Sequence, residues 1–93
     1  MKIAAMTFRL RIPWANSLKD KRAVVRSLEK KLRNRFRVSV AEIDAQDLHR
    51  TAVIGVAAVV PHSALADSLM DEISRFAEEH CEAEIAEETR EIR

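Results

Sequence analysis

The sequence predicts an α+β protein, a ferredoxin-like βαββαβ sandwich in which two helices cover one face of a four-stranded antiparallel sheet. Three observations carry this prediction: apolar residues alternate with period two in several segments, two other segments repeat apolar residues at helical spacing, and these elements follow one another as strand, helix, strand, strand, helix, strand. Right-handed crossovers then give the strand order 4-1-3-2. The length of 93 residues is that of a single domain, residues 1–93.

The first strand is predicted over residues 2–12, where apolar side chains alternate with smaller or charged ones for eleven residues. Pro13 ends it, because proline has no amide hydrogen to donate to a sheet. Ser17 or Asn16 is the expected cap of the following helix.

The first helix is predicted over residues 18–34, and it carries two opposite faces. Its apolar residues recur at helical spacing and should face the core: Leu18, Val25, Leu28 and Leu32. On the opposite side lies a basic stripe about four turns long: Lys19, Arg22, Arg26, Lys30 and Arg33. Lys21 interrupts the pattern, because its position falls within the apolar face.

The second and third strands are predicted over residues 36–44 and 51–60, joined by a polar connection. The third is apolar on both faces, although a two-layer sandwich leaves one sheet face without helices. Exposed apolar patches of this kind usually mark an interface. We therefore expect a homodimer through the sheet face; the alternative is a monomer whose open face carries small residues.

The second helix is predicted to run from Ser63, as its cap, to about residue 80, with the core face Leu65, Leu69, Ile73 and Phe76 and with Ala66 and Ala77 beside it. The tail, residues 82–92, is predicted as a fourth strand whose alternation slips after Ala86. In the expected topology this acidic strand lies beside Arg9 and Arg11 of the first strand.

The formal net charge of +1 conceals two opposite halves. Residues 1–37 hold 12 basic and 2 acidic side chains, whereas residues 38–93 hold 4 basic and 13 acidic ones. Such asymmetry hints at an interaction surface for nucleic acid or a membrane. The longest apolar run, residues 52–61, is about half the length that crosses a membrane. One cysteine excludes an internal disulfide, and together with the lack of a secretory leader it predicts a cytoplasmic protein without a membrane partner.

Three segments resemble the YlxP-like family of small bacterial proteins. They are residues 16–22 (NSLKDKR), residues 36–42 (FRVSVAE) with Asp44 and Asp47, and the apolar run from Ala52. The resemblance covers nearly the whole chain and implies a ferredoxin-like fold. It implies no established activity, and the place of the family's genes beside those of translation factors implies a role near RNA or the small ribosomal subunit. The chain departs from the family pattern at Asn16, where histidine is common, and at His49, where an aromatic residue is common.

The basic stripe is the leading candidate site, because a row of cations on one helix matches the charge of a phosphate backbone. The expected function is therefore non-enzymatic binding of RNA or the small ribosomal subunit. Two alternatives stay open: a dimeric module whose stripe meets an acidic protein, and a dimer that senses a small ligand. The central strands lack the exposed aromatic residues with which this fold often stacks RNA bases, so recognition is expected on the helix or loops.

Lys21 is expected to meet a carboxylate of the second strand or the connection after it, because a buried lysine needs a partner. The cluster Lys21, Glu42 and Asp47 is either a structural ion pair between helix and sheet or a functional site. Trp14 is either a lid on the edge of the core or an exposed binding anchor.

Signals for catalysis and for cofactors are weak. The histidines are scattered, and adjacent His80 and Cys81 do not have the spacing of metal ligands. The single glycine excludes a glycine-rich phosphate loop, and the loop after the first strand lacks the arginine that an acylphosphatase needs. No catalytic residue, metal or cofactor is expected.

Overall fold

The computed structural model describes all 93 residues, in the predicted order of elements. The elements are β1 (Lys2–Arg11), α1 (Leu18–Arg35), β2 (Ser39–Asp44), β3 (Thr51–Val60), α2 (Ser63–His80) and β4 (Glu84–Ile92). The four strands form one antiparallel sheet in the order β2-β3-β1-β4, which is the predicted order read from the other edge. The ferredoxin-like sandwich is thus confirmed.

The core lies between the sheet and the two helices. Phe8, Leu10 and Ile12 alternate inward from the β1 segment and are completely buried. Leu28 and Leu32 meet them from α1, and Ile73 meets them from α2. The period-two pattern of the strand and the 3.6-residue pattern of the helices therefore direct their apolar faces into the same space.

The fourth strand pairs with the first, as predicted, and it contains an irregularity at the place where the alternation slips. Arg9 lies opposite Glu87, but Leu10 lies opposite Ile85, so Ala86 has no partner. One extra residue on one strand is a β-bulge, and it returns Ile85 to the core side.

The bounds of some elements and the cap of α2 differ from the sequence-based expectation. The second strand begins at Ser39 and not at residue 36, because Phe36 is the C-cap of α1: its backbone N–H donates a hydrogen bond of 2.8 Å to the carbonyl of Leu32. The cap of α2 is His62 and not Ser63: its Nδ1 accepts from the amide of Leu65 at 3.2 Å.

The buried face of α2 is also rotated from the predicted one. The residues that it buries are Ala66, Met70, Ile73 and Ala77. Leu69 and Phe76 only border the core, and Leu65 is 44% exposed. Two of the four buried residues of α2 are alanines, and Leu65 and Leu69 lie at the border of that face.

Candidate nucleic-acid interface

The basic stripe lies on the exposed side of α1. Four of its five residues, Lys19, Arg22, Arg26 and Lys30, are exposed and have no carboxylate within 4.0 Å. At the helical rise, the predicted stripe from residue 19 to residue 33 extends about 21 Å. These four residues therefore form a row of positive charges with no ion-pair partner within the chain.

Arg33, the fifth residue of the stripe, is different because its guanidinium is already bonded within the protein. Its Nη2 donates to the backbone carbonyl of Val40 at 2.6 Å and to Oε2 of Glu29 at 3.2 Å. Val40 belongs to β2, an edge strand, so Arg33 occupies a carbonyl on that strand and anchors α1 to it. Arg33 has less freedom to meet a ligand than the other four.

Some positive charges elsewhere in the chain have carboxylate neighbours, two of them across the sheet. Arg9 lies 3.4 Å from Glu87 and Arg11 lies 3.7 Å from Glu84, both on β4. Arg90 of β4 itself bonds Asp71 of α2 at 2.6 Å, and this bond raises the pKa of the Arg90 guanidinium. Carboxylates of β4 therefore lie near Arg9 and Arg11, whereas Lys19, Arg22, Arg26 and Lys30 on the outer side of α1 have none within 4.0 Å.

Lys21 is buried, with 1% of its side chain exposed. Its Nζ donates to three backbone carbonyls, those of Ala45 at 2.8 Å, Gln46 at 3.2 Å and Thr51 at 3.1 Å. All three belong to the connection between β2 and β3 or to the first residue of β3. Lys21 thus ties that connection to α1.

The two predicted carboxylate partners of Lys21 lie in different environments. Oε2 of Glu42 lies 2.8 Å from Nζ of Lys21, whereas Asp47 is exposed and makes no ion pair. The three N–H groups of the ammonium donate hydrogen bonds to the three carbonyls. Glu42 Oε2 therefore receives no aligned hydrogen bond and interacts with Lys21 through charge alone. The structure brings Lys21 and Glu42 together but leaves Asp47 outside.

The sheet face without helices, which we call the open face, carries the residues Ile3, Ala5, Ala41, Ile43, Val53, Gly55, Ala57 and Val59. A shallow trough of about 350 Å³ runs over it, with Gly55 and Ala57 on its floor. Ile43 leans over Gly55, where an added Cβ would lie 3.0 Å from its Cγ2. Ile43 is 52% exposed and Val59 is 70% exposed, so both stand out from an apolar surface.

At the turn before α1, the structure bears on an alternative that the sequence left open and adds a contact that the sequence did not indicate. Trp14 is 51% exposed, so it does not lie beneath the surface as a lid on the core. Nε of Arg50 donates to the carbonyl of Ala15 at 3.1 Å, across 35 positions of the chain. No local pattern marks Arg50, because the contact depends on how two loops meet.

Two further classes of site have no support in the described chain. No three histidine, cysteine, aspartate or glutamate side chains are grouped to hold a metal ion. Neither helix combines the length and the apolar character needed to span a membrane.

Comparisons with known proteins agree with the resemblance seen in the sequence. A family model described as "Protein of unknown function (DUF503)" matches residues 3–90. The "Uncharacterized protein YlxP" of Bacillus subtilis (strain 168) is 44% identical over 45 residues, which is 48% of this chain and 49% of that protein. The matched stretch thus spans about half the length of this relative. Because the family model covers almost the whole chain, the protein belongs to the DUF503 family, whose function is unknown.

Proposed function

We propose that the protein binds RNA, at the small ribosomal subunit, through the exposed stripe on α1. The observation that carries this proposal is the set Lys19, Arg22, Arg26 and Lys30, which are exposed and have no carboxylate within 4.0 Å. The ribosomal location rests on the gene neighbourhood implied by the family resemblance. Contacts from such a row to phosphates give affinity without reading sequence.

The arrangement of these cations also has a cost within the helix. Arg22 and Arg26 are four residues apart, as are Arg26 and Lys30, so like charges face each other on successive turns. Each such pair destabilises a helix by about 0.2–0.5 kcal/mol. An anionic partner that neutralises the row removes this cost on binding.

Charge reversal with a matched control tests the proposal. The variant Arg22→Glu/Arg26→Glu is compared with Lys2→Glu/Arg75→Glu, which makes the same change of net charge at two exposed positions outside the stripe. Binding to small ribosomal subunits and to a ribosomal RNA fragment is measured by sedimentation and by fluorescence anisotropy. We expect the first variant to lose binding at least tenfold and the control to stay within about threefold.

Salt dependence gives a second, independent criterion. Four phosphate contacts predict that affinity falls by about 50- to 150-fold between 50 and 200 mM salt. Equal loss in both variants, or affinity independent of salt, contradicts the proposal. Stripe-dependent binding to an acidic protein with no binding to RNA favours the protein-interaction module instead.

A second candidate property, a homodimer through the open face, is favoured by the shape of that face. Val59 protrudes and the trough beside it has a floor of small residues, so one surface offers both a projection and a recess. A twofold axis brings such a surface against its own copy. The charged residues at the β4 side of this face, Arg9 and Glu87 for example, pair within the chain, so the face offers an apolar partner surface.

The mass in solution tests the dimer. Light scattering at micromolar concentration should give twice the chain mass of 10.6 kDa. Val59→Lys should reduce it to the monomer, whereas Leu65→Lys, at a half-exposed position on α2, should not. A monomer mass for the unaltered protein contradicts the dimer.

A further inference from the structure

Trp14 is held outward by a tight turn with a buried residue on either side. The amide of Ala15 donates to the carbonyl of Ile12 at 3.1 Å, with Pro13 and Trp14 at the two central positions. Proline suits the first central position because its φ is already restricted. Ile12 and Ala15 have no exposed surface, yet Trp14 between them is 51% exposed. The indole is therefore presented to solvent by a rigid frame.

Arg50 is fixed beside this turn by one hydrogen bond of its backbone and one of its side chain. Its carbonyl accepts from the amide of Ile12 at 2.9 Å, and its Nε donates to the carbonyl of Ala15 at 3.1 Å. The next residue, Thr51, is in turn held through its carbonyl by buried Lys21. The two Nη groups of Arg50 have no partner in the protein, so they are left to bind an external acceptor.

A cleft of about 340 Å³ adjoins the turn, lined by Arg11, Pro13, Arg50 and Thr51. Arg11 has one carboxylate neighbour, Glu84, at 3.7 Å, and both side chains are more than half exposed. An exposed pair at this distance contributes little, so Arg11 is available to a competing anion. The cleft thus holds two arginines and Pro13 of the turn, and Trp14, which does not line the cleft, is the next residue along the chain.

We propose that this cleft and Trp14 bind one unpaired nucleotide of a single-stranded RNA segment. The base stacks on the indole, and the phosphate accepts hydrogen bonds from Arg50 and Arg11. Stacking on an aromatic side chain tolerates any base, and guanidinium groups bind phosphate in a bidentate manner. Because α1 begins at Leu18, shortly after this turn, the site lies at the Lys19 end of the stripe. The inference rests on the proposed function and names the form of RNA.

Trp14 is the single tryptophan of the chain, so its fluorescence reports on this site alone. The protein is titrated with a tetra-adenylate, with a blunt 12-base-pair RNA duplex and with AMP. Stacking by the tetranucleotide should quench the emission at saturation, whereas the duplex should bind through the stripe without comparable quenching.

Matched variants then separate the two parts of the site. Trp14→Ala should weaken binding of the tetranucleotide by about 5- to 150-fold, and Trp14→Phe should restore most of it. Leu48→Ala, another exposed apolar residue in a loop, should change little. Arg11→Gln should weaken binding severalfold, while Arg9→Gln, two positions away on the same strand with a similar partner, should not.

The outcomes distinguish this inference from the function on which it rests. Unchanged emission and an unaffected Trp14→Ala variant, together with stripe-dependent binding of longer RNA, overturn the nucleotide site and leave the proposed function. Quenching that depends on Trp14 and Arg11 but not on Arg22 and Arg26 supports the site and overturns the stripe. Equal affinity for AMP overturns the assignment to an RNA chain, and no binding of any probe overturns both.

Discussion

The ammonium of Lys21 lies 2.8 Å from the carboxylate of Glu42, but its hydrogen bonds go to backbone carbonyls. Glu42 therefore compensates the positive charge of Lys21, while the carbonyls accept the hydrogen bonds of its ammonium group. This division of roles explains how a lysine stands in the apolar face of α1. It also explains why the connection between β2 and β3 keeps one shape, since its carbonyls converge on a single donor.

Replacing Lys21 by methionine should lower the free energy of unfolding by about 3 kcal/mol, because it leaves three carbonyls without a donor and the Glu42 charge uncompensated. Urea denaturation measures the loss. Adding Glu42→Gln should recover part of it. The control is Lys31→Met on the same helix, where a less buried lysine makes one carbonyl bond, to His80 at 3.0 Å, and it should cost under 1 kcal/mol. A hydrogen bond typically contributes about 0.5–1.5 kcal/mol to stability, so a change of less than about 0.5 kcal/mol in the free energy of unfolding for Lys21→Met contradicts the structural role.

Reversing Arg26 to glutamate should stabilise the protein while weakening RNA binding. The substitution replaces two like-charge pairs, with Arg22 and Lys30, by two attractive pairs, but it makes the i,i+3 pair with Glu29 repulsive. The expected net gain is about 0.5 kcal/mol at low salt, or a rise of about 2–4 °C in Tm. Thermal denaturation and RNA titration on one preparation check both effects. A fall in Tm shows that Arg26 has a structural partner.

Replacing His62 by aspartate should stabilise α2. His62 caps the helix through Nδ1, and the first turn of α2 carries no acidic residue. A carboxylate there accepts the same hydrogen bond from the amide of Leu65 and interacts favourably with the helix dipole. The expected gain in the free energy of unfolding is about 0.5–1 kcal/mol. His62→Ala should destabilise by about 1 kcal/mol. Chemical denaturation of both variants checks the order, and equal stabilities contradict the cap.

Cys81 should react slowly with thiol reagents in the native protein. Burial raises the pKa of its thiol above the ordinary value of 9.0, so less thiolate exists at a given pH than in the unfolded chain. Labelling with iodoacetamide between pH 7 and 10, with and without urea, measures the difference. Because the folded pKa is the higher one, this thiol's contribution to stability is present below pH 9.0 and is lost as pH rises through the folded pKa. Equal native and denatured rates contradict the burial.

Local sequence patterns predicted most of the fold, but they did not predict which of two neighbouring apolar residues on a helix is buried. The alternation of the fourth strand slips after Ala86 in the sequence, and the structure has a β-bulge at that residue, which was not predicted from the sequence. The face of α2 was predicted around Leu65, but 44% of Leu65 is exposed and Ala66 is buried. Hydrophobicity alone ranks leucine above alanine, whereas close packing against a sheet favours the smaller side chain.

The sequence by itself determined the order of the elements, the strand order and the basic stripe, because these follow from periodicities and from charges on one helix. The tertiary structure alone decided which cations remain unpaired. In the folded chain Arg33 donates to the carbonyl of Val40, Arg50 donates to the carbonyl of Ala15, and Trp14 is exposed one residue after Pro13, which lines the cleft. The physical reason is that these contacts join separate elements, so they exist only where the folded chain brings a donor and an acceptor within hydrogen-bond distance.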